Sequence, residues 1–230
     1  MRQRAMKINK IIDLTYQMQE GMITFAYWHP PFLIKKVGRQ EVEGRETKWI
    51  SFGSHTGTHT DAPLHFIKNG KTIPDIPLTK LVGKVAIADF TKLKENEFVT
   101  KDMLKRIKIT KKMIFKFGWG EYWNKKKFYR GYPFFSKEAA EYLVDKKIEL
   151  LAMDSPSPDD SRIKLSKGVI GTDLDSPIHK VFLKAGVVLV EYLANLDKVK
   201  DYDGWVIVAA PLKIRSADGS PARVFIFNYL

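Results

Sequence analysis

Four side chains able to bind a metal or carry a proton fall close together at positions 55, 59, 61 and 65. They lie in the run Ser54-His55-Thr56-Gly57-Thr58-His59-Thr60-Asp61-Ala62-Pro63-Leu64-His65-Phe66. The chain holds five histidines in all, and three of them are here. All four positions are odd, and in an extended chain side chains at even separations project from one face. On a helix His55 and His59 would stack one turn apart, but Gly57, three threonines and Pro63 oppose a regular helix. The segment therefore reads as extended or irregular, with three imidazoles and one carboxylate pointing one way. Single histidines are common on surfaces and in satisfied cores. Four such groups on one face of a histidine-poor chain point to a metal or catalytic site. Imidazole and carboxylate are the ligands that zinc, manganese or iron accept where no thiol is available. Gly57 and Ala62 let the backbone approach an ion closely.

Composition narrows the class. At 230 residues the chain suits one domain spanning residues 1–230, long enough to bury a substantial core. The absence of cysteine excludes a disulfide scaffold, a thiolate metal site and a cysteine nucleophile. The amino end lacks a long apolar segment, and no apolar run approaches membrane-spanning length, so the expected location is cytoplasmic. The net charge of +13 meets one criterion for nucleic-acid binding. Its lysines, however, are scattered in pairs and triplets without a basic arm or a common binding motif. The expected partner is a small molecule, not a nucleic acid or a membrane.

Read in order, residues 7–15 form a short strand ending in a polar turn. Residues 17–33 are rich in aromatics and proline (Phe25, Tyr27, Trp28, His29, Pro30, Pro31, Phe32), hence extended and irregular. They read equally as a packing arm and as one wall of an aromatic substrate pocket, with His29 outside the ligand set. Residues 32–53 suggest a hairpin with Thr47, Trp49 and Ser51 on one face. Asn69-Gly70 and Pro74 mark turns. Residues 81–90 read as one strong strand, residues 100–107 as a short helix capped by Thr100, and residues 113–118 as a strand. Residues 121–130, charged and aromatic, read as a surface loop or lid. An amphipathic helix follows in 134–145, then a buried strand at 150–154 and a turn-rich loop at 155–160. A second helix starts at Ser176, a candidate N-cap, with Pro177 at its first position, and Gly186 ends it. Strands are expected at 187–193, 205–210 and 224–227. The pattern is mixed α/β with strands in the majority.

Glu191 interrupts an apolar run that reads as a buried strand. A buried carboxylate without a partner is costly, so it should face a cation, a nearby lysine or solvent at a strand end. His179 precedes it by twelve residues on the second helix, and a helix packed on the following strand can bring the two together. With the first cluster they would make a two-metal site, in which Asp61 could bridge two ions through its two oxygens. Ser155 and Ser157 lack a nucleophile elbow and read as loop formers. Gly168 to Gly171 reads as a turn.

The run from His55 to His65 resembles the signature of the cyclase-like metal-dependent hydrolases, a family that includes bacterial kynurenine formamidase and isatin hydrolase. Weaker resemblance extends along the chain: Ile12-Asp13-Leu14-Thr15 to the opening strand, residues 135–159 to the central motif, and His179 and Glu191 to the late ligands. The resemblance implies a swivelling β/β/α fold with a mixed sheet, and a homodimer or larger assembly. It implies that His55, His59 and Asp61 hold one divalent ion, that Asp61, His179 and Glu191 hold a second, either Zn²⁺ or Mn²⁺, and that His65 is the general acid/base. Phe25 falls near an aromatic that contacts substrate in the formamidases, although residues 25–32 depart from the family's usual Pro-Gly-Asp turn. The expected activity is hydrolysis of an amide or formamide carbon–nitrogen bond. The leading substrate is N-formylkynurenine, in tryptophan catabolism, with a cyclic amide such as isatin as the alternative. A metal-stabilised binding module is the non-enzymatic alternative.

Overall fold

The computed structural model describes residues 7–26, 28–164 and 168–229. Tyr27 of the aromatic segment and residues 1–6 of the amino end lie outside the described residues. In chain order the strands are β1 (Ile8–Asp13), β2 (Leu33–Gly38), β3 (Thr47–Ser51), β4 (His59–Asp61), β5 (Val82–Lys84), β6 (Ala86–Asp89), β7 (Phe98–Val99), β8 (Lys112–Lys116), β9 (Phe134–Phe135), β10 (Leu150–Met153), β11 (Val188–Glu191), β12 (Val206–Pro211) and β13 (Gly219–Tyr229). The α-helices are α1 (Gln40–Glu43), α2 (Leu78–Leu81), α3 (Lys101–Leu104), α4 (Lys137–Asp145), α5 (Ser161–Lys164) and α6 (Pro177–Lys184).

One large mixed sheet runs in the order β5-β12-β13-β4-β11-β10-β8-β6, with β1 also paired to β13. Strands β6, β8, β10 and β11 are mutually parallel. From β11 onward through β4, β13, β12 and β5 every pairing is antiparallel. The parallel strands are short apolar runs because both of their faces are buried. Met113, Phe115, Leu151, Met153 and Leu189 pack under α4 and α6, together with Leu143 and Phe182. Their alternate neighbours Ile114, Leu150, Ala152 and Val190 meet Ile12, Ile207, Val224 and Ile226 from the antiparallel half. The sheet therefore curls until its halves enclose a second core. This is the β/β/α layering expected of the sequence.

The curl explains the first departure from expectation. Residues 81–90 do not form one strand. Leu81 ends α2, and β5 and β6 stand at opposite ends of the strand order with only Val85 between them. The continuous apolar run crosses the seam where the curled sheet nearly closes on itself, so each half pairs with a different edge. The second departure is at residues 121–130. Their lysines are largely exposed, but Phe128 and Tyr129 are buried. Trp119 Nε1 donates to the Phe128 carbonyl at 2.9 Å, and Trp123 stacks on Tyr16 with ring centroids 4.0 Å apart. This segment is an aromatic plug, not a surface loop or lid. Burial of its large rings outweighs the solvation of neighbouring charges that lie on the outer face.

Elsewhere local chemistry gives the expected elements, except that Phe134–Phe135 pair with β7 as β9 and the helix expected over 134–145 begins at Lys137. Strands β2 and β3 pair as an antiparallel hairpin. The Thr100 hydroxyl accepts the Met103 N–H at the start of α3, and the Ser136 hydroxyl accepts the Ala139 N–H at the start of α4. Ser176 does not cap α6. It sits at a left-handed φ of 51° with no capping bond, and Asp159 takes its place. Among the described residues no helix is long and apolar enough to cross a membrane.

Candidate metal centre and active-site cleft

The site forms where the sheet changes from parallel to antiparallel. Strand β4 lies between β11 and β13, so His59 stands directly opposite Glu191, and Asp61 directly opposite Leu189 and Gly219. Side chains directly opposite in an antiparallel pair share a face, which brings the His59 and Glu191 groups together. Glu191 is the last residue of a parallel strand. The crevice beyond the carboxyl ends of such strands is where α/β sheets bind ligands. The chain turns sharply there because Tyr192 adopts φ 59°, a left-handed conformation rare for an aromatic residue. The Thr58 hydroxyl holds the Tyr192 carbonyl at 2.6 Å, and the Tyr192 ring meets the His59 ring edge-on.

His179 arrives from the first turn of α6. Asp159 accepts the N–H groups of Ile178 (2.6 Å) and His179 (3.1 Å), which are otherwise unpaired at a helix start, and also binds His179 Nδ1. One carboxylate thus caps the helix and turns His179 Nε2 toward Asp61 and Glu191. The segment 155–160 that carries it is folded inward, with Asp159 Nα donating to the Ser157 hydroxyl. Ser155 and Ser157 shape this loop, as expected.

The four inner groups are almost wholly buried. His59 Nε2 lies 3.3 Å from Asp61 Oδ1 and 3.5 Å from Glu191 Oε2. His179 Nε2 lies 3.5 Å from Asp61 Oδ2 and 3.1 Å from Glu191 Oε1. Two donors held about 2.0–2.1 Å from one tetrahedral ion stand roughly 3.3 Å apart. These separations therefore match donors sharing an ion. Among the described residues, Asp61 Oδ2 and Glu191 Oε1 are buried with no hydrogen-bond partner. Orphaned carboxylate oxygens of this kind are costly unless a cation neutralises them. The His/Asp/Glu set thus fits a divalent metal. Each carboxylate reaches toward both His59 and His179, so Glu191 spans the site as Asp61 does.

His55 and His65 form the outer part. His55 Nδ1 is 2.8 Å from Asp61 Oδ1, and His55 Nε2 is 2.8 Å from Asp218 Oδ2. His65 ends a short 3₁₀ turn, Pro63–His65, and its Nδ1 is 3.1 Å from the same Asp218 oxygen. The two rings lie tilted by 31° with centroids 3.9 Å apart. His65 sits as close to Asp61 and His55 as a further ligand would. Burial disfavours a charged His55 ring, but the Asp61 and Asp218 carboxylates outweigh it and push its pKa up to about 9. Burial pushes His65 down to about 4 despite its bond to Asp218, helped by the nearby His55. His65 is therefore neutral at pH 7 and able to accept a proton. Asp61 is held well below the usual carboxylate range: its burial opposes ionisation, and the surrounding histidines overcome it.

A cleft of about 220 Å³ opens over these groups. Phe25, Trp28, His29, Phe66 and Tyr192 form its aromatic walls, and Asp175 and Ile170 stand at its edge. Both readings of residues 17–33 have a counterpart: Ile23 and Phe25 pack on the core, and Phe25, Trp28 and His29 line the cleft. Phe25 packs edge-on against Tyr129 and so rests on the aromatic plug. His29 lies 6.4 Å from the His55 ring, on the cleft wall and outside the metal-binding groups. Phe25, His55, His59, Asp61, His65, His179 and Glu191 are thus brought to one place. Asp159 and Asp218 were missed. Each sits in a turn-rich stretch with ordinary composition, Asp159 just after Ser157-Pro158 and Asp218 just before Gly219-Ser220.

The Cyclase family model, described as "Putative cyclase", matches residues 12–160. A kynurenine formamidase of Bacillus thuringiensis subsp. konkukian is 28% identical over 222 residues, covering 96% of this chain and 99% of that one. The solved structure of a "predicted metal-dependent hydrolase" from Bacillus stearothermophilus is 31% identical with a TM-score of 0.73, covering 97% of this chain and 99% of that one. An isatin hydrolase bound to the product analogue thioisatinate superposes with a TM-score of 0.81 at 24% identity, covering 96% and 93% of the two chains. With the family model matching well over half of its length, the chain belongs to the Cyclase family.

Proposed function

We propose that this protein is a metal-dependent hydrolase of an amide carbon–nitrogen bond, and that its substrate is N-formylkynurenine, cleaved to kynurenine and formate. The observation that carries the reading is the pair of orphaned buried carboxylate oxygens on Asp61 and Glu191, facing His59 and His179 beneath an aromatic cleft. The naming of relatives as kynurenine formamidase over nearly the whole chain supports the substrate.

His55, His59, Asp61, His179 and Glu191 would hold two divalent ions, Zn²⁺ or Mn²⁺, both of which suit this donor set. Bound there, such ions supply Lewis acidity, lowering the pKa of water from about 15.7 towards about 7 and polarising a carbonyl. His65, neutral at pH 7, takes the proton of the attacking water and returns it to the leaving nitrogen. Phe25 and Phe66 flank a flat ring so that its amide faces His65, and the buried walls exclude bulk water. A homodimer accounts for the exposed Val37, Trp49 and Ile50 on the β2–β3 hairpin.

A cyclic amide such as isatin is the second reading. The small volume of the cleft and its apolar walls favour it. Absorbance assays on protein loaded with Zn²⁺ or Mn²⁺ separate the two. Turnover of N-formylkynurenine confirms the first reading; turnover of isatin alone moves the substrate to lactams. Turnover of neither removes the amidase assignment.

A further inference from the structure

Asp218 is 153 residues from His65 in sequence, yet a single one of its oxygens meets two imidazoles. The backbone holds it in place. The Asp218 carbonyl accepts the Ala62 N–H at 2.8 Å, and the preceding Ala217 carbonyl accepts the Ile73 N–H at 2.9 Å. Both bonds pin the start of β13 to the chain that follows β4. Gly219 completes the cradle. A Cβ built there would lie 2.5 Å from His55 Cε1 and 2.9 Å from His55 Nε2, so the ring lies flat against bare backbone. Any larger residue would displace His55 from between Asp61 and Asp218.

An ionised carboxylate only accepts hydrogen bonds. A carboxylate is ionised at neutral pH, and one Asp218 oxygen lies 2.8 Å from His55 Nε2 and 3.1 Å from His65 Nδ1. The nitrogen of each ring that faces it must therefore carry the hydrogen, and the two rings face it differently. His55 offers Nε2–H to Asp218, so an ion bound in place of the proton between Nδ1 and Asp61 Oδ1 would leave this ring as the Nε2–H tautomer. His65 offers Nδ1–H, which leaves Nε2 as its free nitrogen. The same oxygen thus selects opposite tautomers on two neighbouring rings. A carboxylate behind a ligating histidine is the usual way a protein fixes ring orientation and ligand basicity.

We propose that Asp218 is a positioning residue for the reaction. It sets His55 to ligate through Nδ1 and His65 to exchange protons through Nε2. This rests on the hydrolase reading for its catalytic half, whereas its structural half stands by itself. The second assignment also decides between two roles for His65. A ring whose Nδ1 is held by Asp218 serves the cleft with Nε2, as an acid/base and not as a further ligand through Nδ1.

The test uses the Zn²⁺-loaded, ¹⁵N-labelled protein and long-range ¹H–¹⁵N correlation of the imidazole rings, with His65→Ala to identify the His65 signals. In the wild type His65 should show the Nδ1–H tautomer and His55 the Nε2–H tautomer. Asp218→Ala should lose the Nδ1–H preference of His65. It should also weaken Zn²⁺ binding about 10- to 100-fold and lower kcat by a similar factor, with KM little changed. Asp218→Asn keeps the volume and one acceptor oxygen. It should keep both tautomers, move the His65 Nδ1 proton upfield and fall between wild type and alanine in Zn²⁺ affinity, which makes it the deciding variant if the alanine form does not fold. Unchanged imidazole spectra in Asp218→Ala would overturn the proposal, as would the opposite tautomers in the wild type. If loaded wild type hydrolyses neither N-formylkynurenine nor isatin, the hydrolase reading fails alone. The tautomers and Zn²⁺ affinities still decide the role of Asp218.

Discussion

Replacing Asp159 by alanine should damage the fold and the metal centre together. The carboxylate is almost fully buried and accepts from the backbone N–H of Ile178, the backbone N–H of His179 and the His179 ring. Losing a helix cap costs about 0.5–2 kcal/mol. Leaving the buried His179 Nδ1–H without its acceptor costs a further ~1–3 kcal/mol. A loss near ~3 kcal/mol is expected. In a chain of this size each kcal/mol shifts Tm by about 2–4 °C, so the midpoint should fall by roughly 6–12 °C. Thermal unfolding should be followed in the presence of chelator, so that metal binding does not mask the change. Zn²⁺ titration of the folded variant should show affinity reduced by about 10- to 100-fold, because His179 loses the group that orients it. Ser176→Ala is the control. Its hydroxyl bonds Asp175 and caps nothing, so its shift should be less than half as large. A drop below about 2 °C in Asp159→Ala, with Zn²⁺ affinity unchanged, would refute the assignment of both roles to this carboxylate.

Other outcomes follow from the same geometry. His65→Ala should retain metal, measured by elemental analysis, and lose about 100- to 10,000-fold in kcat; retained turnover would remove His65 from proton transfer. Asp61→Ala should lose metal altogether, since both of its oxygens face the site, one toward His59 and the other toward His179. Asp154 gives a pH effect of defined sign. Burial raises its pKa to about 6 although the Phe117 and Gly118 N–H groups both bond it at 2.8 Å. The folded state then holds a proton that the unfolded chain releases near 3.8. The favourable contribution is complete below that value and is lost as pH rises through about 6, a change of roughly 3 kcal/mol. Urea unfolding between pH 4 and 7 should show wild type losing stability relative to Asp154→Asn as pH rises; a flat difference would contradict it.

The local parts of this protein were legible in the chain. The cluster at 55, 59, 61 and 65 was legible, but the two-residue period of extended chain accounts only for His59 and Asp61 in β4, while His55 and His65 reach the site from a turn and a 3₁₀ turn. Thr100 announced a helix start because a cap bonds an N–H group only three residues away. Glu191 stood out because a carboxylate in an apolar run demands a cation. The partners of those groups were another matter. Asp159 reaches His179 across twenty residues and Asp218 reaches His65 across 153, through contacts created only by the packing of α6 and the pairing of β13 with β4. The break at Val85 and the burial of Phe128 and Tyr129 likewise follow from the curling of the sheet and the filling of its aromatic end. A periodic pattern states which face of a segment is buried, but not against what. Strand order decides which distant carboxylate completes each histidine, and that order is a property of the whole packed chain.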